Sequence, residues 1–595
     1  MENRDIARIL LETAQLLEID GAPIGRYRSY EKAAELLANL SERVEDWAGD
    51  PQKLMQLPGI GEGLAAHIQE ILTTGDYSLR RKLLKKYPET ILRLLDLQSL
   101  GPKKVALIWK RLHAGTVEEV ARLAREGKLR DLPGFGEKSE QNILRGAETL
   151  EKSARRFLIH AADETAQAIV AHIRTLGKQV ESVDVAGSLR RRKETIGDLD
   201  ILVCLPSKPP QKIVDTLTKH ILKFHGIAQI LARGENKISI RLENGMQVDV
   251  RLLDVKHRGA ALLYFTGSKE HNVSLRSRAN KMGYTLNEYA LATLEGERPV
   301  ASESEETIYK KLKLEFIEPE LRENTGEIEA AEKDRLPKLV EPADIQGDLQ
   351  MHTVASDGHN TIEEMADAAK RIGYAYIALT DHSKAVTVAN GLDEKRTLEQ
   401  IRRIHEASRK IEGIHLLAGS EVDILKNGRL DLDEEVLAQL DVVVCSVHSF
   451  MNMDRSEMTE RLLGAIENPY TQIIAHPTGR LLLRREGYAY DMEKILDAAK
   501  QHGVAMECNA YPDRLDLNDV HLRMAKERGV RITISTDAHA TKNLEFMKYG
   551  VGMARRGWIE AKDVMNTLPY SEFLRALRPK PGSDRPRRAR HRAGS

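Results

Sequence analysis

Residues 187–200, GSLRRRKETIGDLD, carry the densest chemistry in the chain. The VDVA before them is a short β-type run, so Gly187 and Ser188 fall at a strand end, where an unencumbered backbone can turn amides toward an anion. Arg190, Arg191, Arg192 and Lys193 then supply four consecutive cations. After a turn at Gly197, Asp198 and Asp200 flank Leu199 and lead into the apolar run Ile201, Leu202, Val203, the pattern of a buried strand. Alternate strand residues share a face, so both carboxylates point the same way, and a divalent cation between them relieves their repulsion. An anion-binding turn beside a carboxylate pair is equipment for transfer chemistry on a nucleoside triphosphate.

These residues need strands to hold them. The runs NKISIRL (236–242) and MQVDVRLLD (246–254), joined through Asn244-Gly245, read as a β-hairpin. Asp249, between Val248 and Val250, adds a third carboxylate on a neighbouring strand, enough to hold two metal ions. Ahead of this region, residues 4–150 read as short helices with Leu, Ile and Ala at helical spacing. LPGIGEGLAAHIQEIL (57–72) and LPGFGEKSEQNIL (132–144) share Leu-Pro-Gly-x-Gly-Glu before a helical run, and LQSLGPKKVALIW (97–109) is a looser copy. The pattern resembles the helix-hairpin-helix motif. Gly59, Gly61, Gly101, Gly134 and Gly136 would let backbone amides at helix N-termini approach a DNA phosphate. Tyr27, Arg28, Lys103 and Lys104 are candidate phosphate contacts nearby.

In the second half, β-type runs end repeatedly in metal-capable residues: DLQMH (348–352), YIALTDH (376–382), IHLLAGSE (414–421), VVVCSVH (442–448), TQIIAH (471–476), VAMECN (504–509) and ITISTDAH (532–539). Helical segments such as 361–372 and 492–502 alternate with them, which describes a distorted βα barrel with its site at the strand C-termini. The ligand set is His352, Asp357, His382, Glu421, His448, His476, Asp537 and His539. Imidazole and carboxylate without thiolate favour zinc, manganese or iron, and bridging carboxylates favour a cluster.

At 595 residues the chain needs several cores, and the fold class is multidomain α+β and α/β. With 90 basic and 90 acidic side chains, any DNA-binding surface must be local. Three dispersed cysteines exclude a zinc ribbon or a disulfide framework and point to a reducing, cytoplasmic setting. No stretch reaches the ~20 apolar residues of a membrane span.

GSLRR, GDLD, VDVR and ALLYFTGSKEHNVSLRSRANKMGYTLNEYAL (261–291), in this order, look like the catalytic region of the family X DNA polymerases, the DNA polymerase β relatives. The resemblance implies that Asp198, Asp200 and Asp249 ligate two Mg2+ or Mn2+ ions and are catalytic. It implies that Gly187, Ser188 and Arg191 hold the triphosphate, that Tyr264, Phe265 and Gly267 line the sugar, and that Asn272 and Arg276 face the nascent base pair. His67 stands where β-type enzymes carry a lyase lysine, and imidazole cannot form a Schiff base. Lys269 replaces an acidic residue beside the nucleotide.

The second half resembles the PHP (polymerase and histidinol phosphatase) domain, which implies a trinuclear Mn2+, Zn2+ or Fe site and 3′-end phosphodiester hydrolysis. Its opening His-x-His is here Gln350-Met351-His352, a weaker first ligand.

The expected organisation is a helical DNA-binding, lyase-like domain (1–85), a helix-hairpin-helix subdomain (86–150), a nucleotidyltransferase palm (151–255), a nucleotide-selection subdomain (256–318), a linker (319–343), the PHP domain (344–577) and a disordered basic tail (578–595). The function expected is template-directed gap filling in base excision repair by a monomer acting on gapped or primer-template DNA and deoxynucleoside triphosphates, with a 3′–5′ exonuclease. The alternatives are a polymerase whose barrel is structural, on the strength of Gln350, a template-independent nucleotidyltransferase, and a noncatalytic DNA-binding scaffold. The helix-hairpin-helix copies and YFTGS weigh against a template-independent enzyme, and the intact aspartates against a scaffold.

Overall fold

The computed structural model describes residues 1–581 apart from 2, 39–43, 58, 98–99, 138, 142, 145–146, 148–155, 207–210 and 235. The chain divides into two compact units, Met1–Arg155 and Arg156–Ser595.

The first unit is helical. Helices Asn3–Ile19 and Ile24–Ala38, α1 (Glu62–Thr74) and α2 (Pro102–Leu112) bury Leu10, Leu37, Ile68 and Ile108 in one core. That core runs on through Val120 and Ile143, so the boundary expected at residue 85 is no break in packing.

In the second unit, α3 (Ile159–Arg174) packs on a five-stranded mixed sheet of β1 (Ser182–Val185), β2 (Asp198–Leu205), β3 (Ile227–Arg233), β4 (Lys237–Leu242) and β5 (Gln247–Asp254), in the order β1-β2-β5-β4-β3. The β4–β5 hairpin turns at Gly245, whose φ is +92°. Strand alternation splits β2 between two cores: Leu199, Ile201 and Val203 pack under α3, while Leu202 packs with Ala261 and Leu262 of α4 (Arg258–Thr266). Asp198 and Asp200 share parity with Leu202, so they look toward α4. α5 (Lys269–Lys281) follows, capped by Ser268, whose hydroxyl accepts from His271 N at 3.2 Å.

Residues 319–343 are not a spacer. Glu320, Arg322, Glu327, Leu339 and Val340 are buried. The Arg322 guanidinium pairs with Glu305, donates to Ile317 O at 2.9 Å and lies over the rings of Tyr309 and Phe316. Three of its acidic residues, Glu320, Glu323 and Glu327, are internal partners of Arg555, Arg556 and His271. At Glu305 burial works to raise the carboxyl, but Arg322 and Arg190 outweigh it and hold the pKa at about 2.

Beyond it, seven parallel strands follow in sequence order: β6 (Gly347–Asp348), β7 (Tyr376–Leu379), β8 (His415–Asp423), β9 (Val442–Ser446), β10 (Ile473–Ile474), β11 (Ala505–Asn509) and β12 (Ile532–Ser535). A parallel bridge between Met351 and Ala538 brings the last strand round to the first. Helices such as Ile362–Ile372 and Met492–His502 cover the outside, where Thr361 and Glu364 form a capping box. Leu417, Val442, Val444, Ile473 and Ala505 fill the interior at one end. Further along the strands the same parity reaches Glu421, Ser446 and Glu507. The basic tail begins later than composition indicates, because Arg578 Nη1 donates to the carbonyls of Ile466, Asn468 and Thr471 at 2.8–3.1 Å and so caps the helix Arg455–Glu467. Residues 582–595 lie outside the described residues.

Candidate active sites

β2 and β5 run parallel in register, which sets Asp200 directly beside Asp249. Lys237 Nζ lies 2.7 Å from Asp249 Oδ2. Burial pushes the Asp200 carboxyl up to about 7, and the neighbouring Asp198 and Asp249 add to it. Burial, then Asp249, also raises Asp198. A cation relieves this repulsion without moving the strands. Gly187 is required by geometry: its φ is +62°, and a Cβ there would enter the Asp200 carboxylate.

The sheet and α4–α5 enclose a pocket of about 390 Å³, within the range of small-ligand sites. Gly187, Ser188 and Arg191 form one wall, Asp198 and Asp200 the floor, and Tyr264, Phe265, Gly267, Asn272 and Arg276 the other wall. Every nucleotide-site residue expected from the sequence is therefore on this one surface. Asp249, beside Asp200 on β5, is not among the residues that line the pocket. Thr266, inside the YFTGS motif, and Lys269, the departure from the family pattern, also line the pocket. Asn272 Nδ2 donates to Tyr264 O at 2.7 Å, which ties α5 to α4.

The four cations at 190–193 do not form a free basic block. Arg190 makes a two-pronged pair with Glu305 at 2.6 and 2.9 Å and donates to Thr266 Oγ1 at 2.6 Å. Arg191 Nε donates to Glu323 Oε1 at 3.0 Å and its Nη1 to Thr266 O. Lys193 reaches the same Glu323 oxygen at 3.6 Å. Of the four, Arg191 alone lines the pocket.

In the first unit, Gly59 and Gly134 have φ of +83° and +80°, and Gly61 and Gly101 are the N-caps of α1 and α2. Gly59, Gly61, Gly101, Gly134 and Gly136 all have open space where a Cβ would be, as close backbone approach to a phosphate demands. Lys104 sits over the Phe135 ring at 4.9 Å, linking the second and third copies. His67 joins an aromatic cluster: its Nδ1 lies 2.9 Å from the Tyr30 hydroxyl and its ring 4.8 Å from Tyr77.

All eight candidate ligands in the barrel converge. Glu421 is the hub: His352 Nε2, His382 Nδ1, His448 Nε2 and His476 Nε2 lie 2.9–3.4 Å from its oxygens. Asp357 takes His352, His382 and His539 at 3.3–3.7 Å, and Asp537 takes His352 at 3.1 Å. Among the described residues, three overlapping sets have ligand atoms within 4.8 Å of one another: His352, Asp357, His382 and His539; His382, Glu421 and His448; His352, Glu421 and Asp537. His352 Nδ1, His382 Nδ1, Glu421 Oε2 and His476 Nδ1 are buried without a hydrogen-bond partner. Unsatisfied buried polar atoms cost about 1–3 kcal/mol each. A metal cluster would satisfy those of His352, His382 and Glu421, which belong to these sets, so the residues fit the group the fold implies, whereas His476 turns Nε2 rather than Nδ1 to Glu421. Gln350, two residues past β6, is fully buried with both amide atoms unpartnered.

Two supporting carboxylates escaped the sequence reading. Asp423 Oδ1 accepts from His448 N at 3.0 Å and lies 3.1 Å from His448 Nδ1, fixing the ring. Its signal is the Glu421-x-Asp423 alternation on β8. Burial acts to lower the His448 imidazole, but Glu421 and Asp423 outweigh it and lift the pKa to about 9. Glu507, inside β11, accepts His476 N at 2.6 Å and Asn509 Nδ2 at 3.2 Å, and Asn509 passes the contact on to Asp537.

A carboxylate triad beside a glycine turn on a mixed sheet is the arrangement of a nucleotidyltransferase, and the barrel joined to it carries a cluster of candidate metal ligands. Family models match in the same order: a helix-hairpin-helix domain at 1–77, a SAM-like helix-hairpin-helix tandem at 91–149, the DNA polymerase beta palm at 160–251, the DNA polymerase beta thumb at 261–323 and a PHP domain at 348–511. The DNA polymerase/3′-5′ exonuclease PolX of Bacillus subtilis strain 168 is 37% identical over 568 residues, covering 95% of this chain and 97% of that protein. A probable phosphatase of Thermoanaerobacter sp. strain X514 is 31% identical over 251 residues, 40% of this chain and 97% of its own. The chain belongs to the PolX family of DNA polymerases that carry a PHP domain.

Proposed function

We propose that this protein is a template-directed DNA polymerase that fills short gaps during base excision repair, and that its barrel removes nucleotides from 3′ ends. The observation that carries the reading is the single pocket in which Ser188 and Arg191 face Asp198 and Asp200 across the space lined by Tyr264, Gly267, Asn272 and Arg276. Ser188 and Arg191 hold the triphosphate, the aromatic wall meets the sugar, and Asn272 and Arg276 meet the base pair. Asp198, Asp200 and Asp249 hold the divalent ions, Mg2+ or Mn2+, which when bound supply the charge that offsets the developing phosphoryl transition state. The protein's share is positioning, and no side chain need act as nucleophile. The glycine turns of the first unit grip duplex phosphates without reading sequence. The protein acts as a monomer in the cytoplasm. Among the described residues, no helix is long and apolar enough to cross a membrane.

Extension of a primer across a one-nucleotide gap, with Mg2+ or Mn2+, tests the polymerase. Asp200→Asn should lower the rate by a hundredfold to about a thousandfold or more, the scale of losing one preorganised charge-stabilising group. Undiminished extension by that variant would move the chemistry elsewhere.

In the barrel, Mn2+, Zn2+ or iron held by the Glu421-centred ligands would polarise a phosphodiester for hydrolysis. The second reading, a structural barrel, rests on Gln350. The convergence of seven candidate ligands in three overlapping sets, with orphaned buried atoms on His352, His382 and Glu421, favours the nuclease.

A further inference from the structure

One helix of the barrel domain, α6 (Met547–Arg556), turns a face to the palm rather than to its own barrel. Lys548, Gly552 and Arg556 are spaced four apart and share that face. Lys548 Nζ lies 2.8 Å from Asp163 Oδ2 on α3, and the adjacent Tyr549 hydroxyl donates to the same oxygen at 3.1 Å. At Gly552 a Cβ would meet the Arg192 side chain at 3.2 Å, so the glycine lets the helix lie against the 190–193 loop. Arg556, 5% exposed, completes the row. Its Nη1 donates to Arg191 O and to Glu323 Oε1, both at 2.9 Å, and its Nη2 to Asp519.

Glu323 Oε1 is also the oxygen that receives Arg191 Nε at 3.0 Å. One carboxylate oxygen therefore stands between a guanidinium of the barrel domain and the guanidinium that lines the nucleotide pocket. Burial acts to raise Glu323, but Arg556, Lys193 and Arg191 together hold it at about 2, so it is a fixed anion. The backbone at Arg191 is fixed from the same side through its carbonyl. If Arg556 were removed, Glu323 would be left to Arg191 and Lys193, and the Arg191 carbonyl would lose its donor. The pocket guanidinium would then lose the fixed carboxylate and the fixed backbone that together set its place at the pocket wall.

We propose that Arg556, although it belongs to the phosphoesterase domain, is a positioning residue for nucleotide binding in the polymerase centre, acting on Arg191 through Glu323 and through the Arg191 carbonyl. The inference rests on the reading of Arg191 as a triphosphate contact. Arg191 meets phosphates present in both ground and transition states, so misplacing it raises KM for the nucleotide more than it lowers kcat.

The test is steady-state extension on a one-nucleotide gap by the full-length chain. R556Q should raise the nucleotide KM about five- to tenfold, with kcat, gapped-DNA affinity and Mn2+-dependent 3′ degradation each within about twofold of wild type. E323Q, which keeps the shape and removes the charge, should raise the KM similarly, and the double variant should be no worse than the poorer single one, as coupled residues require. E323Q also stands in if R556Q does not fold. A wild-type KM in the folded variants, or a parallel fall of extension and 3′ degradation, overturns the proposal. R191Q separates the two levels. If R191Q raises the KM and R556Q does not, the coupling alone is wrong; if R191Q leaves it unchanged, the reading of the pocket falls with it.

Discussion

At the scale of single residues, Asp200 concentrates the chemistry and the strain. Its carboxyl, raised to about 7 first by burial and then by Asp198 and Asp249, keeps a proton in the folded state that the unfolded chain releases near pH 3.8. A raised carboxyl destabilises the fold as pH climbs through that interval, and a cation binds only once the proton has left. The ion-free protein should lose melting temperature between about pH 4 and pH 7, and saturating Mg2+ should restore more at pH 8 than at pH 6. Both trends should shrink in Asp200→Asn, and thermal-shift curves of the two proteins across pH read the difference directly. An identical pH dependence in both would contradict the account. In the barrel, His448 is raised to about 9, so it must shed a proton to serve as a ligand. Asp423 holds its other nitrogen. Asp423→Ala should weaken Mn2+ binding about 10- to 100-fold, as loss of such a partner does, measured by equilibrium dialysis and elemental analysis. Retention of wild-type affinity would make Asp423 a bystander.

At the scale of elements, the short β1–α3 layer and the strand pair β2–β5 work because one glycine is a glycine. At Gly187, φ is +62° and the Asp200 carboxylate occupies the Cβ position. Gly187→Ala should destabilise the second unit by about 1–3 kcal/mol and abolish gap filling, while 3′ degradation continues below the melting transition. Calorimetry and the two activity assays check both halves. The helix-hairpin-helix glycines were legible in the sequence because a positive-φ turn before a helix is local chemistry. The same holds for the β4–β5 hairpin at Asn244-Gly245. The stretch 319–343 was misread for the complementary reason. Acidic, proline-punctuated composition signals a solvated spacer only when the charges meet water, and Glu320 meets Arg555 at 2.8 Å and Glu323 meets Arg556 at 2.9 Å instead.

At the scale of the whole molecule, the palm, the thumb segment and the barrel form one compact unit, joined by Asp163 with Lys548, Glu194 with Arg480 and the Arg556 relay. A ligand for one part then stabilises the other, because folding free energy is shared within a cooperative unit. Mn2+ at a hundredfold excess over its Kd, worth about 2.7 kcal/mol, should slow amide exchange in β2 and β5 even in a variant lacking Asp198 and Asp200 as ligands. Hydrogen exchange read by mass spectrometry tests this. Protection confined to β6 through β12 would show two independent folding units.

The sequence by itself determined which residues share a face: Asp198, Asp200 and Asp249, the YFTG segment and the eight candidate ligands of the barrel were all identifiable because residue type and strand parity are local, and the structure brings each set together. It also determined the order of the parts, since turn glycines and apolar periodicity are local. Tertiary structure alone decided which charges are free. Arg190 and Lys193 read as part of a block of four cations and are engaged by Glu305 and Glu323; Arg578 read as part of a disordered tail and caps a helix. It also decided that a nuclease-domain arginine stands behind the polymerase pocket. Those pairings join residues up to 365 positions apart, and long-range partnership leaves no period, spacing or composition in a chain.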